Sequence, residues 1–270
     1  MIKVKQGIAE AEQLLEELDF NTLPIIPMDV IKAIDSGHYR VVLEAVKLKS
    51  NYILGKSEGN NYGSLIYVNS SLDEVRYNFT AAHELGHVVM HIMQNKQESF
   101  ECSSKDFGDY YKAPFEQEAN GFASGLLMPK KLIDPLTDGD INWKNISKIK
   151  AKCGTSLEAS YRRLSALTNE PSALIIHKKD KFHRFVPSAS FDFYIEQLPL
   201  CEDKKQLCSD GLRDHLSSEF EEVDPSDWVN PERKGLELEK IYVSSISLAN
   251  DITYSLLRYD DECLLETDEC

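Results

Sequence analysis

The informative absences in this sequence of 270 residues are a long apolar segment, a paired cysteine motif and an excess of basic residues. No run approaches the ~18 consecutive apolar residues of a membrane helix, and the N-terminus lacks the apolar core of a signal peptide. We therefore expect a cytoplasmic protein. Its six cysteines include no C-x-x-C pair, which argues against a cysteine zinc site; in the cytoplasm most of these thiols would be reduced.

The acidic charge is concentrated in the last part of the chain. The net charge is -15, of which residues 1–190 carry about -1 and residues 191–270 carry about -14. Such a tail would repel the phosphate backbone of nucleic acids and could attract a basic protein. The alternative is that the acidic surface only keeps the protein in solution.

One H-E-x-x-H motif, His83-Glu84-Leu85-Gly86-His87, lies within a helical pattern. Apolar residues recur there at three- and four-residue steps, and Ser71 with Glu74 predicts a capping box at the start of the helix. Positions four apart share a helix face, so His83 and His87 can hold one metal ion. Glu84 can then reach a water in the open coordination position of that metal.

A second helical pattern over residues 114–128 offers a third ligand. Glu116 and Asn120 share a face, so Glu116 can bind the metal while Asn120 hydrogen-bonds a ligating histidine. Glu118 is the alternative ligand, and it points roughly 200° away around the helix.

The polar segment Gln94–Ala113, between the two helices, is predicted to be a loop over the cleft. Its residues Tyr110 and Tyr111, and His91 just before it, are candidates for stabilising an oxyanion. The alternative for each of the three is packing or surface exposure.

Together these residues resemble the ImmA/IrrE family of metallopeptidases. The first matching motif is Arg76-x-Asn78-Phe79-Thr80-x-Ala82-His83-Glu84-Leu85-Gly86-His87, followed by His91. The second is Glu116-x-Glu118-Ala119-Asn120-x-Phe122-Ala123-x-x-Leu126-Leu127-Met128-Pro129. The resemblance, which covers about residues 1–170, implies a zinc endopeptidase with Zn²⁺ held by His83, His87 and Glu116, and Glu84 as general base. It also implies that the protein substrate is a DNA-binding repressor of stress or mobile-element genes.

The remaining patterns predict an α+β fold. Helices are expected over residues 5–19 and 28–35, and strands over 39–46 and 64–69 with a loop at 55–63. The second of these strands, directly before the metal helix, could form the cleft edge that holds an extended substrate.

Residues 141–168 predict two helices, Trp143–Lys152 and Ser156–Leu167, with the outline of a helix-turn-helix unit. Residues 141–190 carry about +7 net charge, so a non-proteolytic, zinc-containing regulator that binds DNA through this pair is the alternative function. Packing within the peptidase is favoured, because family members carry a similar helical pair.

From residue 170 the pattern changes to short strands: 173–177, 182–187, 191–195, 241–247 and 253–257, with an acidic looped stretch at 202–235. The sequence thus predicts a zincin-like metallopeptidase domain over 1–169, including the helical pair. An acidic α+β region over 170–270 would follow, with a regulatory, sensor-like or substrate-recognition role.

Overall fold

The computed structural model describes residues 2–34, 38–48, 53–103, 113–201, 208–210, 219–233, 236–248 and 251–266. They form a mixed α and β structure, which confirms the predicted fold class. The chain divides into two compact units, Met1–Leu136 with Ile149–Ser156, and Thr137–Lys148 with Leu157–Cys270. The functional boundary near residue 169 stays a prediction. In the described part of the chain, no helix is long and apolar enough to cross a membrane.

Among its described residues, the first unit contains five complete α-helices, the end of a sixth and a four-stranded sheet. The helices are α1 Ile2–Glu17, α2 Pro27–Ile34, α3 Glu74–His87, α4 Pro114–Leu127 and α5 Lys130–Ile133. The strands are β1 Arg40–Val46, β2 Ile53–Asn60, β3 Gly63–Asn69 and β4 Ser99–Ser103, in the order β1-β3-β2-β4. Strand β1 runs parallel to β3, and the other pairs are antiparallel.

The sheet corrects three sequence predictions. Strand β2 covers residues 55–60 of the segment 55–63 that was predicted to be a loop, and β4 lies within the predicted loop Gln94–Ala113. Strand β3 has a neighbour on both sides, so β4, not β3, is the sheet edge next to β2. The strand was not predicted because β2 is polar on both faces. Lys56 and Glu58 form an ion pair on the outer face, and the buried residue between them, Ser57, is also polar.

Helix α3 begins later than its capping-box prediction. Its N-cap is Asp73, whose side chain accepts a hydrogen bond from the backbone N–H of Arg76. The predicted cap, Ser71, instead donates its backbone N–H and its hydroxyl to Asn69 Oδ1 in the preceding turn. The capping-box prediction was therefore wrong, although the helix itself is confirmed.

Helices α1 and α4 cross with their backbones in contact, and this crossing requires glycine. A Cβ on Gly7 would lie 1.9 Å from the Glu118 carbonyl oxygen, and one on Gly121 would lie 2.1 Å from the Val4 carbonyl oxygen. Because α4 carries Glu116, Glu118 and Asn120, this contact also holds the second motif in place. The inner face of α4 is buried through Ala119, Phe122, Ala123 and Leu126.

The second unit is rich in β-structure. Its helices are α6 Trp143–Cys153, of which residues 149–153 belong to the first unit, and α7 Leu157–Leu167. Its strands are β5 Ser172–Lys178, β6 Lys181–Pro187, β7 Tyr194–Ile195, β8 Cys208–Asp210, β9 Glu221–Val223, β10 Val229–Asn230, β11 Glu232–Arg233, β12 Leu236–Leu238, β13 Ile241–Leu248, β14 Ile252–Arg258 and β15 Leu264–Glu266. The main sheet has the order β6-β5-β14-β13-β8, and β9 also pairs with β13.

Four of the predicted C-terminal strands are confirmed as β5, β6, β13 and β14. The predicted strand 191–195 is reduced to Tyr194–Ile195, because Phe191 and Phe193 contribute to the apolar core from an irregular segment. In the described parts of the acidic stretch 202–235, the strands are only two or three residues long. Both predicted helices of the 141–168 pair are confirmed as α6 and α7.

Candidate metal centre

Helices α3 and α4 bring two imidazoles and one carboxylate together. The Nε2 atoms of His83 and His87 lie 3.1 Å apart, as expected for two histidines one helical turn apart. Glu116 places its Oε2 atom 3.1 Å from His83 Nε2 and its Oε1 atom 3.3 Å from His87 Nε2. One ligand atom from each residue lies within 4.8 Å of the others, so the group could hold a metal ion.

Glu118 does not join this group. Its Oε2 atom lies 2.9 Å from His91 Nε2, and its Oε1 atom lies 2.7 Å from Lys3 Nζ. Glu116 and Glu118 are thus separated around the helix as the sequence predicted, with Glu116 on the side of the two histidines. That Glu116 is the third metal ligand stays a prediction.

Asn120 lies beside the other nitrogen of the first histidine. Its Oδ1 atom is 3.0 Å from His83 Nδ1, so the ring donates from Nδ1 and directs Nε2 toward Glu116. An amide oxygen in this position selects the tautomer that a ligating histidine needs.

The electrostatics of the site favour one positive charge beside Glu116. Burial opposes the charged form of His83, but the Cys102 side chain and the Glu116 and Glu84 carboxylates raise its pKa well above the ordinary value. Burial would likewise raise the pKa of Glu116, but the adjacent His83 and His87 rings lower it far below its usual range. Burial lowers the pKa of His87 to about 4, so this ring stays neutral. A metal cation would supply the charge that the group stabilises.

The donor set fits a metal ion. One oxygen of Glu116 is buried without a hydrogen bond, although it lies within 3.1 Å of the His83 ring. Two imidazole nitrogens and a carboxylate oxygen are also the ligands typical of a catalytic zinc site.

Glu84 lies next to the first histidine and is fully buried. Its Oε2 atom accepts a hydrogen bond of 2.8 Å from Ser57 Oγ, so β2 holds the carboxylate in place. A Cβ on Gly55, also in β2, would lie 2.7 Å from Glu84 Oε1 and 2.7 Å from the Thr80 methyl group. Gly55 therefore leaves the space in which the carboxylate sits.

Replacement of Gly55 by alanine is expected to displace Glu84 while leaving the histidine pair in place. If Glu84 is the general base, the maximal rate should fall more than zinc binding does, because the atoms nearest to the added methyl group belong to Glu84 and Thr80. Steady-state kinetics and zinc titration of Gly55→Ala would measure the two effects separately. Gly59→Ala, in the same strand but away from Glu84, is the control for strand disruption. An unchanged rate in a folded Gly55→Ala variant would contradict the expected displacement.

Cys102 was not predicted to lie near the site. It is buried in β4, and with His83 and Glu84 it forms a second group whose ligand atoms lie within 4.8 Å of one another. The sequence contains no signal for this proximity, because Cys102 belongs to no cysteine motif and reaches the site only through strand pairing. The four cysteines whose side chains are described, including Cys102, are free thiols.

The candidates for an oxyanion donor have different outcomes. His91 is fully buried, with Nδ1 3.1 Å from His87 Nδ1 and Nε2 bonded to Glu118, so neither nitrogen remains for a substrate oxygen. The structure therefore favours the alternative given for His91, which is packing. Tyr110 and Tyr111 lie outside the described residues.

The helical pair gives little support to direct reading of DNA bases. In α7, which would be the recognition helix, Arg163 is buried and Arg162 pairs with Glu158 at 2.9 Å. Glu158 also pairs with Arg184. The exposed lysines of the pair lie instead on the first helix, at Lys144, Lys148, Lys150 and Lys152.

Comparisons with known proteins bear on the family and the fold. No curated protein matches the chain. A transcriptional regulator from Mycobacterium tuberculosis is similar in structure, with a TM-score of 0.53 and 13% sequence identity over 93% of this chain and 75% of that chain, which shows a shared fold. Residues 39–165 match a peptidase family model described as the IrrE N-terminal-like domain, and its zincin-like fold precedes the β-rich C-terminal region. The recognition of the ImmA/IrrE family from the sequence is thus confirmed, and residues 39–165 are a domain of that metallopeptidase-like family.

Proposed function

We propose that the protein is a zinc-dependent endopeptidase that hydrolyses a peptide bond in a protein substrate. The observation that carries this proposal is the convergence of His83, His87 and Glu116 with a separate carboxylate, Glu84, directly beside the first histidine. A metal with a purely structural role would not need a buried base beside it. Among metals, zinc suits two imidazoles and one carboxylate.

The residues of the site divide the chemistry among them. His83, His87 and Glu116 would hold the ion, and Asn120 fixes the ring of His83. When bound, zinc supplies Lewis acidity, which polarises a carbonyl and makes a water molecule more acidic. Glu84 then accepts the proton of the attacking water and donates it to the leaving amine nitrogen. Ser57 holds the Glu84 carboxylate for both transfers.

The proposed substrate is a DNA-binding transcriptional repressor in the cytoplasm, whose cleavage switches on stress or mobile-element genes. The family resemblance supports this substrate class, and a structurally similar protein is a transcriptional regulator. DNA-binding repressors carry basic surfaces, which complement the about -14 net charge of residues 191–270. We propose that residues 170–270 act in substrate choice or activation, and that β4 presents the sheet edge along which an extended peptide can pair.

The metal prediction is one tightly bound zinc ion per chain, lost in His83→Ala and His87→Ala because each variant removes one of three ligands. Elemental analysis of the purified protein would measure it. His183→Ala is the matched control, since His183 is exposed and lies outside the donor group. A protein without zinc, or equal zinc in all four proteins, would contradict the metal site.

The substrate prediction is cleavage of a repressor at a rate that falls as salt rises, because screening weakens the attraction between acidic and basic surfaces. Incubation with candidate repressors and mass spectrometry of the products would detect it. A gel-shift assay separates this function from the alternative of a DNA-binding regulator. Tight, salt-dependent DNA binding without any proteolysis would favour that alternative.

A further inference from the structure

A chain of four side chains extends from His87 to the protein surface. His87 Nδ1 lies 3.1 Å from His91 Nδ1, and His91 Nε2 lies 2.9 Å from Glu118 Oε2. The other oxygen of Glu118 lies 2.7 Å from Lys3 Nζ. The two histidines are fully buried, the Glu118 side chain is 7% exposed, and the Lys3 side chain is 44% exposed. The proposed roles of the metal ligands and of the general base do not explain why this series of hydrogen-bonded side chains is present.

The chemistry of the groups sets the direction of each hydrogen bond. An ammonium only donates and a carboxylate only accepts, so Glu118 accepts from both Lys3 and the Nε2–H of His91. A neutral imidazole has one proton, so His91 Nδ1 carries a lone pair and accepts from the Nδ1–H of His87. The proton of His87 is thereby placed on Nδ1. Its Nε2 lone pair then faces the Nε2 atom of His83 and the carboxylate of Glu116.

Local structure around His91 is arranged for this contact. Helix α3 continues into a π-helical turn over Val88–Ile92, closed by a 2.9 Å hydrogen bond from Met93 N–H to the Val88 carbonyl. Such π-helical turns are rare in proteins, and those that do occur often lie at functional sites. Phe100 stacks on the His87 ring at 4.0 Å, and Phe115 lies 4.5 Å from the His91 ring. These apolar rings exclude water that would otherwise compete for the ring nitrogens.

We propose that His91 and Glu118 are positioning residues for the proposed metal site. They hold His87 with its proton on Nδ1 and its Nε2 lone pair toward the ion, as Asn120 does for His83. Lys3 anchors the far end of the chain by pairing with Glu118. Glu118 thus has a defined role in the site without being a ligand.

The test is the zinc dissociation constant, measured by competition with a chromophoric chelator. His91→Phe removes both hydrogen bonds and keeps an aromatic ring between Phe100 and Phe115, so affinity is expected to fall about 10- to 100-fold. His91→Asn places an amide oxygen near the position of Nδ1, can again accept from His87, and should restore most of the affinity. Met90→Leu, a buried neighbour outside the chain of hydrogen bonds, should bind zinc like the wild type.

A spectroscopic measurement on the unmodified protein provides a second test. With ¹⁵N-labelled histidine in the zinc-loaded protein, the ring shifts of His87 should show a proton on Nδ1 and zinc on Nε2.

Glu118→Gln weakens the acceptor for His91 and should lower zinc affinity without removing a ligand. Zinc on Nδ1 of His87, wild-type affinity in folded His91→Phe, or no recovery in His91→Asn would each overturn the proposal.

The inference rests on the proposed metal site, and the same measurements separate the two. A wild-type protein that binds no zinc would overturn the metal site and the positioning role together. A wild-type protein that binds zinc, with the same affinity in His91→Phe and Glu118→Gln, would overturn only the positioning role. Circular dichroism of each variant establishes that the fold is kept.

Discussion

Replacement of Glu84 by glutamine is expected to abolish peptide cleavage while leaving the fold and the bound zinc in place. The amide cannot take a proton from the attacking water, and loss of a general base costs about 10²- to 10⁴-fold in rate. Its oxygen can still accept the hydrogen bond from Ser57, so the side chain keeps its position. The measurement is the cleavage rate of the repressor substrate together with the zinc content of the same preparation.

The same variant distinguishes the two possible metal groups. One consists of His83, His87 and Glu116, and the other of His83, Glu84 and Cys102. If the metal were held by the second group, Glu84→Gln and Cys102→Ser would both lose zinc, whereas the proposed site predicts that both retain it. Glu74→Gln, at the exposed start of α3, is the control for changing a glutamate in this helix. Cleavage by Glu84→Gln at the wild-type rate would show that Glu84 is not the base.

Replacement of Glu116 by alanine is expected to have the largest effect on metal binding among the acidic residues of α4. It removes a carboxylate whose two oxygens lie 3.1 Å from His83 Nε2 and 3.3 Å from His87 Nε2. The loss of zinc affinity should therefore exceed the about 10- to 100-fold typical of a residue that only supports a ligand. Zinc titration with a competing chelator would measure it.

Glu118→Ala is the matched comparison, because Glu118 lies two residues after Glu116 in the same helix and contacts His91 and Lys3 instead. Its loss should weaken zinc binding less than the loss of Glu116 does. If Glu118→Ala removed more zinc than Glu116→Ala, then Glu118 would be the ligand. The role of Asn120 would then need another explanation.

Local spacing was sufficient to predict which candidate donors share one face of a helix. The helical repeat directs His83 and His87 to one side of α3, whatever the rest of the chain does. The same repeat places Glu116 and Asn120 on one face of α4. In the structure Glu116 lies 3.1 Å from His83 and 3.3 Å from His87, and Asn120 lies 3.0 Å from His83. These predictions depend only on contacts within single helices.

Strand pairing could not be predicted as well. Strand β2 is polar and contains two glycines, so its sequence resembles a loop, and only its neighbours β3 and β4 supply the hydrogen bonds that make it a strand. The contacts of Ser57, Gly55 and Cys102 with the site depend on this pairing. The sequence therefore predicted Glu84 as the base but not the residues that hold it.

The sequence by itself determined the H-E-x-x-H spacing, the helix faces that carry the candidate donors and the fold class, because each follows from periodicities of a few residues. Only the tertiary structure decided the contacts of His91 and Glu118. Glu118 is 27 residues from His91 and 115 residues from Lys3 in the sequence. The contact with Lys3 arises from the close crossing of α1 and α4 at Gly7 and Gly121, and the contact with His91 arises because α4 packs beside the π-helical turn Val88–Ile92. A contact between residues so distant in sequence depends on how whole helices pack, and no local pattern encodes it.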